Sequence, residues 1–159
     1  MKTLVVYYSL EGNTKLIADT IAEEINCDVL RLRPKKDIPK KGFLKFFLGG
    51  MNVVFNKKPE LEPYNKNFDK YDLIVFGSPV WAGSYAPSFN TLFSQVSLKD
   101  KKIALFSCYG GREGKVFEKF SHKLQGNEVI GQIGFIEPKK NNIDENTDKA
   151  KQWIHQLVK

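Results

Sequence analysis

The chain has 159 residues, of which 42% are hydrophobic and 13% aromatic, so its composition excludes a disordered chain and suits one domain with a substantial core. Its apolar runs are shorter than the ~18 residues needed to span a bilayer, and its start resembles a strand rather than a signal peptide. Two cysteines among 159 residues and a net charge of +7 exclude a disulfide framework and predict a basic cytoplasmic protein with reduced thiols.

Apolar runs alternate with helical patterns along the whole chain. The strand-like runs are Thr3–Tyr8, Asp28–Leu32, Asp72–Gly77, Lys102–Cys108 and Glu128–Ile136. Apolar residues spaced three and four apart predict helices over 14–25, 89–96, 117–124 and 150–158. The alternation predicts a parallel sheet with helices on both faces and right-handed crossovers.

The stretch Pro34–Asn67 is less regular than the rest. Its pattern predicts a short helix around Gly42–Leu48, which Gly49 and Gly50 should loosen, because glycine costs roughly 1 kcal/mol relative to alanine inside a helix.

A polar loop follows the first predicted strand. It supplies hydroxyls, an amide and a glycine at the start of a helix, where anions bind well, and it consists of Ser9, Leu10, Glu11, Gly12, Asn13 and Thr14. The same residues also suit an ordinary strand-to-helix turn capped by Asn13 or Thr14.

Two further loops follow the third and fourth predicted strands, 78–87 with the sequence SPVWAGSYAP and 109–114 with YGGREG. Taken alone, Trp81 and Tyr85 suit packing, and the glycines of the other loop suit a flexible turn. Ligands bind beyond the carboxyl ends of parallel strands. The coincidence of all three loops at one sheet edge therefore indicates a ligand with an anionic tail and a flat, conjugated head.

At these residues the sequence resembles the flavodoxin family. Ser9, Gly12 and Thr14 match the family's phosphate loop, and the runs GSPVWAGSYAP and SCYGGREG resemble its two isoalloxazine loops. The resemblance covers nearly the whole chain. It implies one flavodoxin-like FMN-binding domain over 1–159, an α/β three-layer doubly wound fold with a five-stranded parallel sheet of order 2-1-3-4-5. No long insertion splits the fifth strand, so the short-chain form is expected.

The resemblance also implies that FMN is held non-covalently by these three loops. The first loop would bind the phosphate, Trp81 and Tyr109 would flank the flavin ring, and glycines would let the backbone approach it. The expected cofactor-binding residues are Ser9, Leu10, Glu11, Gly12, Asn13, Thr14, Ser78, Pro79, Val80, Trp81, Ala82, Gly83, Cys108, Tyr109, Gly110 and Gly111.

The expected function is electron transfer on FMN between redox partner proteins, without a catalytic side chain. The alternative is an FMN-dependent NAD(P)H:quinone oxidoreductase, and a third class is a regulatory module that has lost the flavin. The sequence lacks the motifs of a receiver domain, a low-molecular-weight phosphatase and a Walker loop. His122 and His155 fall on predicted helices, where we expect surface or packing roles.

The positive charge is concentrated in one segment, Pro34–Lys58, which holds seven lysines and a single aspartate and is called the basic segment below. We expect its crossover helix to lay an apolar face on the sheet, with the lysines in water. An acidic redox partner is the next interpretation. An amphipathic contact with a membrane surface is a weaker alternative, because the apolar residues are also needed to cover the sheet, and neither stable membrane insertion nor nucleic-acid binding is expected. Because the family is usually acidic, a basic member should hold reduced FMN at a less negative potential.

Glu11 departs from the resemblance, since the family usually has a hydroxyl donor at this position. We expect its side chain to turn outward, toward Lys15, and to leave the backbone amides to the phosphate. A carboxylate near a helix N-terminus is itself favourable by ~0.3–1 kcal/mol. Replacing Glu11 with threonine should then tighten FMN binding.

Overall fold

A computed structural model describes residues 1–40 and 42–159 of the chain; Lys41, one of the lysines of the basic segment, lies outside the described residues. Five parallel strands form one sheet in the order β2-β1-β3-β4-β5. They are β1 Thr3–Tyr7, β2 Asp28–Arg31, β3 Leu73–Pro79, β4 Lys102–Tyr109 and β5 Glu128–Ile136. The predicted fold class and strand order are confirmed, and β5 runs without an insertion.

Five helices connect or follow the strands: α1 Asn13–Ile25, α2 Phe43–Val54, α3 Ser88–Gln95, α4 Val116–Lys123 and α5 Ile143–Val158. None of the helices in the described part of the chain is long and apolar enough to cross a membrane.

The two faces of the sheet bury separate cores, because alternate residues of a strand point to opposite faces. On β1, Val5 belongs to the core beneath α1 and α5, with Ile17 and Ile154. Its neighbour Val6 belongs to the other core, beneath α3 and α4, with Phe89. The near-continuous apolar pattern of the central strands follows from this burial on both faces.

Helix α5 begins earlier than the sequence pattern predicted, at Ile143 rather than near Ala150. Asn142 caps it, and the Asn142 side chain accepts a hydrogen bond from the Glu145 backbone N–H at 3.1 Å. After Ile143 the first two turns of α5 are polar and most of their side chains are exposed, so apolar spacing alone could not reveal them.

Helix α2 departs most from expectation. It continues through Gly49 and Gly50 to Val54, and Gly49 is its only buried residue among those whose side chains are described. The expectation that α2 lays an apolar face on the sheet is wrong, since Leu44 and Val54 are exposed.

Candidate functional site

The three predicted loops line one cavity of about 1010 Å³ at the carboxyl edge of the sheet. All but three of the predicted residues line it: Ser9, Leu10, Glu11, Asn13, Thr14, Pro79, Val80, Trp81, Ala82, Cys108, Tyr109, Gly110 and Gly111. The topology explains this, because β1, β3 and β4 are neighbours in the sheet and their loops leave from the same edge.

The first loop forms the buried end of the cavity. Ser9 and Thr14 are only 3% and 1% exposed. The Gly12 backbone N–H donates to the Ser9 hydroxyl at 3.1 Å, which closes the loop into a tight turn. Gly12 has a φ of 100°, in the left-handed region that favours glycine. Among the described residues, no side chain caps the N-terminus of α1, so its positive dipole end faces the cavity.

The Glu11 side chain does not pair with Lys15, the residue toward which we expected it to turn. Its carboxylate pairs with Lys45 on α2, whereas Lys15 pairs with Asp19 one helical turn along α1. The expectation of an outward Glu11 side chain near Lys15 is therefore wrong as to the partner. Through this ion pair, Glu11 connects the first loop to α2.

Lys139, in the loop after β5, lies over the first loop. Its backbone N–H donates to the Asn13 side-chain oxygen at 3.0 Å, and its ammonium donates to the Glu11 carbonyl at 3.3 Å. A Cβ at Gly12 would lie 3.0 Å from the Lys139 Nζ, so glycine leaves the room that this lysine occupies.

The second loop is ordered by backbone hydrogen bonds within itself and to β4. The backbone groups of Trp81 and Ser84 exchange two hydrogen bonds of 2.9 Å each, and the Val80 N–H donates to the Cys108 carbonyl at 3.0 Å. The Trp81 ring meets Tyr8 edge-on, with the ring centroids 5.3 Å apart. Trp81 is thus fixed at the cavity wall, in a geometry that aromatic pairs favour.

Three predicted residues stand outside the lining, and two of them support the loops from behind. The Ser78 hydroxyl accepts from the Ala86 N–H at 2.8 Å, which closes the second loop. Gly83 packs against Gly114 so closely that a Cβ on Gly114 would lie 2.6 Å from the Gly83 Cα. Gly12, the third, shapes the first turn.

The structure adds cavity residues that the sequence analysis missed. They come from the basic segment and from the loop after β5, and they are Lys40, Lys45, Phe46, Gly49, Gly50, Glu137, Lys139 and Lys140. The rule that ligands bind at the carboxyl ends of strands, applied to β5, would have found the last three. No short-range signal places α2 beside Trp81.

The predicted histidines lie away from the cavity lining. His122 and His155 are both exposed on their helices, as expected. His155 contacts Glu24 at 2.6 Å, which is an ion pair only when the imidazole is protonated.

Cys108 lies at the end of β4 in the cavity lining, yet it is only 3% exposed. Burial raises the pKa of its thiol to about 12, although a hydrogen bond with Thr14 opposes this. The neutral thiol is therefore the form present near neutral pH, and Cys108 is a packing residue rather than a nucleophile.

The charges of the lining suit an anion. Four lysines and two glutamates line the cavity. Lys45 pairs with Glu11, and Lys140 pairs with Glu137 at 2.7 Å. Two positive charges, those of Lys40 and Lys139, remain in excess, which matches the charge of about −1.5 to −2 on a phosphate monoester. The uncapped helix, the excess positive charge and the aromatic wall all fit FMN.

Comparisons with known proteins agree with this site. A flavoprotein from Lactobacillus acidophilus, solved in complex with FMN, is 28% identical, with a TM-score of 0.73 over 91% of this chain and 97% of that one. A flavoprotein from Bacteroides uniformis shares the fold at a TM-score of 0.78 and 21% identity, over 97% of both chains. Fold and site define an FMN-binding flavoprotein of the flavodoxin-like class.

The family model for NADPH-dependent FMN reductases matches residues 1–123, and the chain belongs to that family. It is also 32% identical over 143 residues to a flavodoxin-like domain-containing protein, BilS, of Clostridioides difficile. That match covers 90% of this chain and 62% of the relative, so this chain spans about three-fifths of the relative's length.

Proposed function

We propose that the protein carries electrons on bound FMN between redox partner proteins. The observation that carries this proposal is the gradient of burial along the cavity. Ser9 and Thr14, at the phosphate end, are buried, whereas Trp81 and Tyr109 are partly exposed and Gly110 is exposed. A flavin oriented by these loops would have its phosphate buried and the edge of its ring near the surface, where a partner can reach it.

In this proposal the protein's residues bind, orient and shield the cofactor. FMN supplies the reversible electron transfer when bound. The first loop would accommodate the phosphate, and Trp81 and Tyr109 would keep water from the ring faces.

The lysines around the cavity support a partner with an acidic docking surface. Lys40 and Lys140 line the cavity and are exposed. Opposite charges across a transient interface accelerate association more than they add affinity.

The experiment mixes the FMN-loaded protein with a reduced acidic ferredoxin under anaerobic conditions and follows the bleaching of oxidised FMN. We expect rapid electron transfer at about 0.05 M salt and a much slower rate at about 0.5 M, where the Debye length is about threefold shorter. A rate that does not change with salt would contradict the acidic partner, and absence of transfer at both salt concentrations would contradict the carrier function.

The second candidate is an FMN-dependent NAD(P)H:quinone oxidoreductase. Two observations favour it: membership of the NADPH-dependent FMN reductase family, and a cavity volume of about 1010 Å³, at the upper end of the ~300–1,000 Å³ typical of ligand pockets. Such a volume supports a second flat ligand beside the flavin.

The two candidates separate in one further measurement. The FMN-loaded protein is mixed with NADPH and a water-soluble quinone, without any other protein. Rapid oxidation of NADPH would establish the reductase and replace the carrier as the main function. If NADPH leaves the flavin oxidised while reduced ferredoxin bleaches it, the carrier is supported.

Substitution of Trp81 tests whether its side chain contacts the flavin ring. Trp81→Ala should weaken FMN binding about tenfold, because an aromatic contact and its buried area are lost. Trp81→Phe is the matched control and should retain most of the affinity. Fluorescence titration of the apoprotein with FMN measures both, and equal affinity of all three proteins would remove Trp81 from the site.

A further inference from the structure

Helix α2 presents an apolar stripe to solvent. Leu44, Met51 and Val54 are 56%, 38% and 69% exposed, and Phe55, at the C-terminal end of the helix, is 62% exposed. Phe47 is also 51% exposed. The spacing of three and four residues places these side chains on one face of the helix. The stripe below means these five residues.

The orientation of the stripe is determined by the opposite face of α2. A Cβ on Gly49 would be 3.5 Å from the Trp81 ring, so the helix backbone lies close to that ring. Lys45 pairs with Glu11 on the same side. Both contacts hold the cavity-facing side of α2 inward, and the stripe therefore faces away from the protein.

Lysines lie beyond both ends of the stripe. Lys40 precedes α2, Lys57 and Lys58 follow it, and all three are exposed. The helix itself contains no aspartate or glutamate. A binding partner for this surface must therefore combine an apolar region, which contacts the stripe, with negative charge, which pairs with the lysines.

A second copy of the chain does not meet this requirement. Two α2 helices packed stripe to stripe, whether parallel or antiparallel, bring the terminal lysines of one copy beside those of the other. Like charges at such a contact oppose association.

The type of cation distinguishes a lipid surface from an acidic protein. Every cationic residue of the basic segment is a lysine, and none is an arginine. Lysine is depleted and arginine enriched at protein–protein interfaces that bury an apolar core, unlike the transient contact proposed for the cavity lysines. Lysines beside phenylalanine and leucine are instead typical of helices that lie in a membrane interface, where the long side chains reach the headgroups.

We propose that the stripe docks on a membrane surface containing anionic lipid, with α2 lying in the plane of the interface. The helix has twelve residues, about 18 Å, so it lies on the surface and does not span the bilayer. Phe46, which lines the cavity and is 71% exposed, lies outside the stripe, toward the cavity-facing side of α2.

The test uses the FMN-loaded protein and co-sedimentation with vesicles. One set is phosphatidylcholine alone, and the other contains about a quarter phosphatidylglycerol, which gives the negative surface potential that attracts lysines. We expect binding to the anionic vesicles, at least tenfold weaker binding to the neutral ones, and release of the protein at high salt.

Three sets of substitutions locate the contact. The triple variant Leu44→Gln, Val54→Gln, Phe55→Gln should bind anionic vesicles at least tenfold more weakly. The matched control, Val29→Thr, Ile136→Thr, Ile143→Gln, removes apolar side chains that are 45%, 51% and 46% exposed elsewhere, and should bind like the unaltered protein. An unchanged FMN content shows that both triple variants are folded.

Lysine substitutions test the electrostatic part separately. The pair Lys57→Gln, Lys58→Gln should weaken binding several-fold, whereas Lys119→Gln, Lys123→Gln on α4 should not.

Each of the following results would overturn the proposal. One is the absence of binding to anionic vesicles, as expected if the occupant is an acidic protein. Another is a stripe variant that binds anionic vesicles as tightly as the unaltered protein does, or an unaltered protein that binds neutral and anionic vesicles equally. A third is a concentration-dependent dimer in sedimentation velocity that the stripe variant abolishes, which would assign the surface to a second copy.

Discussion

Glu11 places a negative charge in the loop for which we predict phosphate binding. Its carboxylate lies in the cavity lining but pairs with Lys45, so its charge is balanced within the site. Its carbonyl meanwhile accepts from the Lys139 ammonium. The residue thus brings two lysines to the end of the cavity where we expect the phosphate to bind.

The prediction at Glu11 follows from the charge balance. Glu11→Gln keeps the shape of the side chain and leaves Lys45 without its carboxylate, so the positive excess grows by one. FMN should bind about three- to tenfold more tightly, equivalent to about 0.7–1.4 kcal/mol, at low salt. Glu11→Thr, which also restores a hydroxyl, should tighten binding at least as much. Weaker binding by both variants would show that the ion pair positions α2 for the cofactor.

Lys139 is the residue whose loss should matter most among the cavity lysines. It lies directly over Gly12, and it is exposed, so solvent screening limits its contribution. Lys139→Gln should weaken FMN binding about three- to tenfold. Lys140→Gln is the control with a smaller expected effect, because Lys140 is paired with Glu137. Equilibrium titration with FMN at two salt concentrations measures the affinity of both variants. Equal losses of affinity would show that the lysines act through the overall positive potential of the cavity, and that Lys139 makes no direct contact with FMN.

The site could be predicted largely because it consists of loops at one sheet edge. Trp81 and Tyr109 line the cavity at the sheet edge where the strand pattern predicts a ligand, and their contact with FMN stays a prediction. Lys45 and Gly49 were missed because their position depends on how α2 packs across the cavity, which no local sequence pattern encodes. Lys139 was missed although the same strand-end rule reaches it.

At the scale of elements, α2 shows where local propensity and tertiary context compete. Two adjacent glycines cost the helix roughly 2 kcal/mol relative to alanine, which predicts an early end. The structure keeps the helix intact through both, with Gly49 against the Trp81 ring and Lys45 paired to Glu11. Helix α5 shows the converse case, since Asn142 caps it but its first turns lack the apolar spacing from which a helix is predicted.

Gly50 offers a direct test of this competition. Apart from neighbouring residues and the backbone of α2 itself, no atom of the described residues lies within 4 Å of a Cβ built at Gly50. Gly50→Ala should therefore stabilise α2 by about 0.5–1 kcal/mol, through the lower backbone entropy of the unfolded segment. Amide hydrogen exchange should slow about two- to fivefold within 43–54 and remain unchanged in α5. Unchanged exchange in α2 would mean that the glycines do not limit its stability.

At the scale of the whole molecule, buried thiols and phenols determine the response to alkaline pH. Burial raises the pKa of Cys108 and of Tyr85 to about 12, and that of Cys27 to about 11. Burial, together with a hydrogen bond to Asp37, also raises the pKa of Tyr8. All four groups are therefore held neutral in the fold at pH values where the unfolded chain would ionise them.

The pH dependence has a definite sign. A group whose pKa is raised by folding stabilises the fold below its unfolded pKa, and this stabilisation is lost as pH rises through the folded value. The free energy of unfolding should be flat near neutral pH and fall from about pH 9 toward pH 12. Cys108→Ala should reduce the slope by up to about 1.4 kcal/mol per pH unit. Urea unfolding of the apoprotein at successive pH values measures it, and an unaltered slope would contradict the assignment to Cys108.

The positive charges of the protein, above all those that line the cavity, should also affect the redox potential of FMN. Reduction adds negative charge to the cofactor, and the lining carries two more lysines than glutamates. Lysines of the lining would lie close to a flavin bound in the cavity, whereas Lys57 and Lys58 are exposed and outside the lining, where salt screens charges beyond ~10 Å. The potential for complete reduction should therefore be less negative than in acidic flavodoxin-like proteins.

Two variant pairs separate the nearby charges from the remote ones. Lys40→Gln, Lys140→Gln should shift the potential in the negative direction by tens of millivolts, since a tenfold change in a one-electron equilibrium corresponds to about 59 mV. Lys57→Gln, Lys58→Gln should shift it much less, and raised salt should remove that smaller shift first. Spectroelectrochemical titration measures both pairs. Equal shifts would show that net charge alone determines the potential, whereas a shift confined to the lining pair would assign it to the two lysines at the cavity.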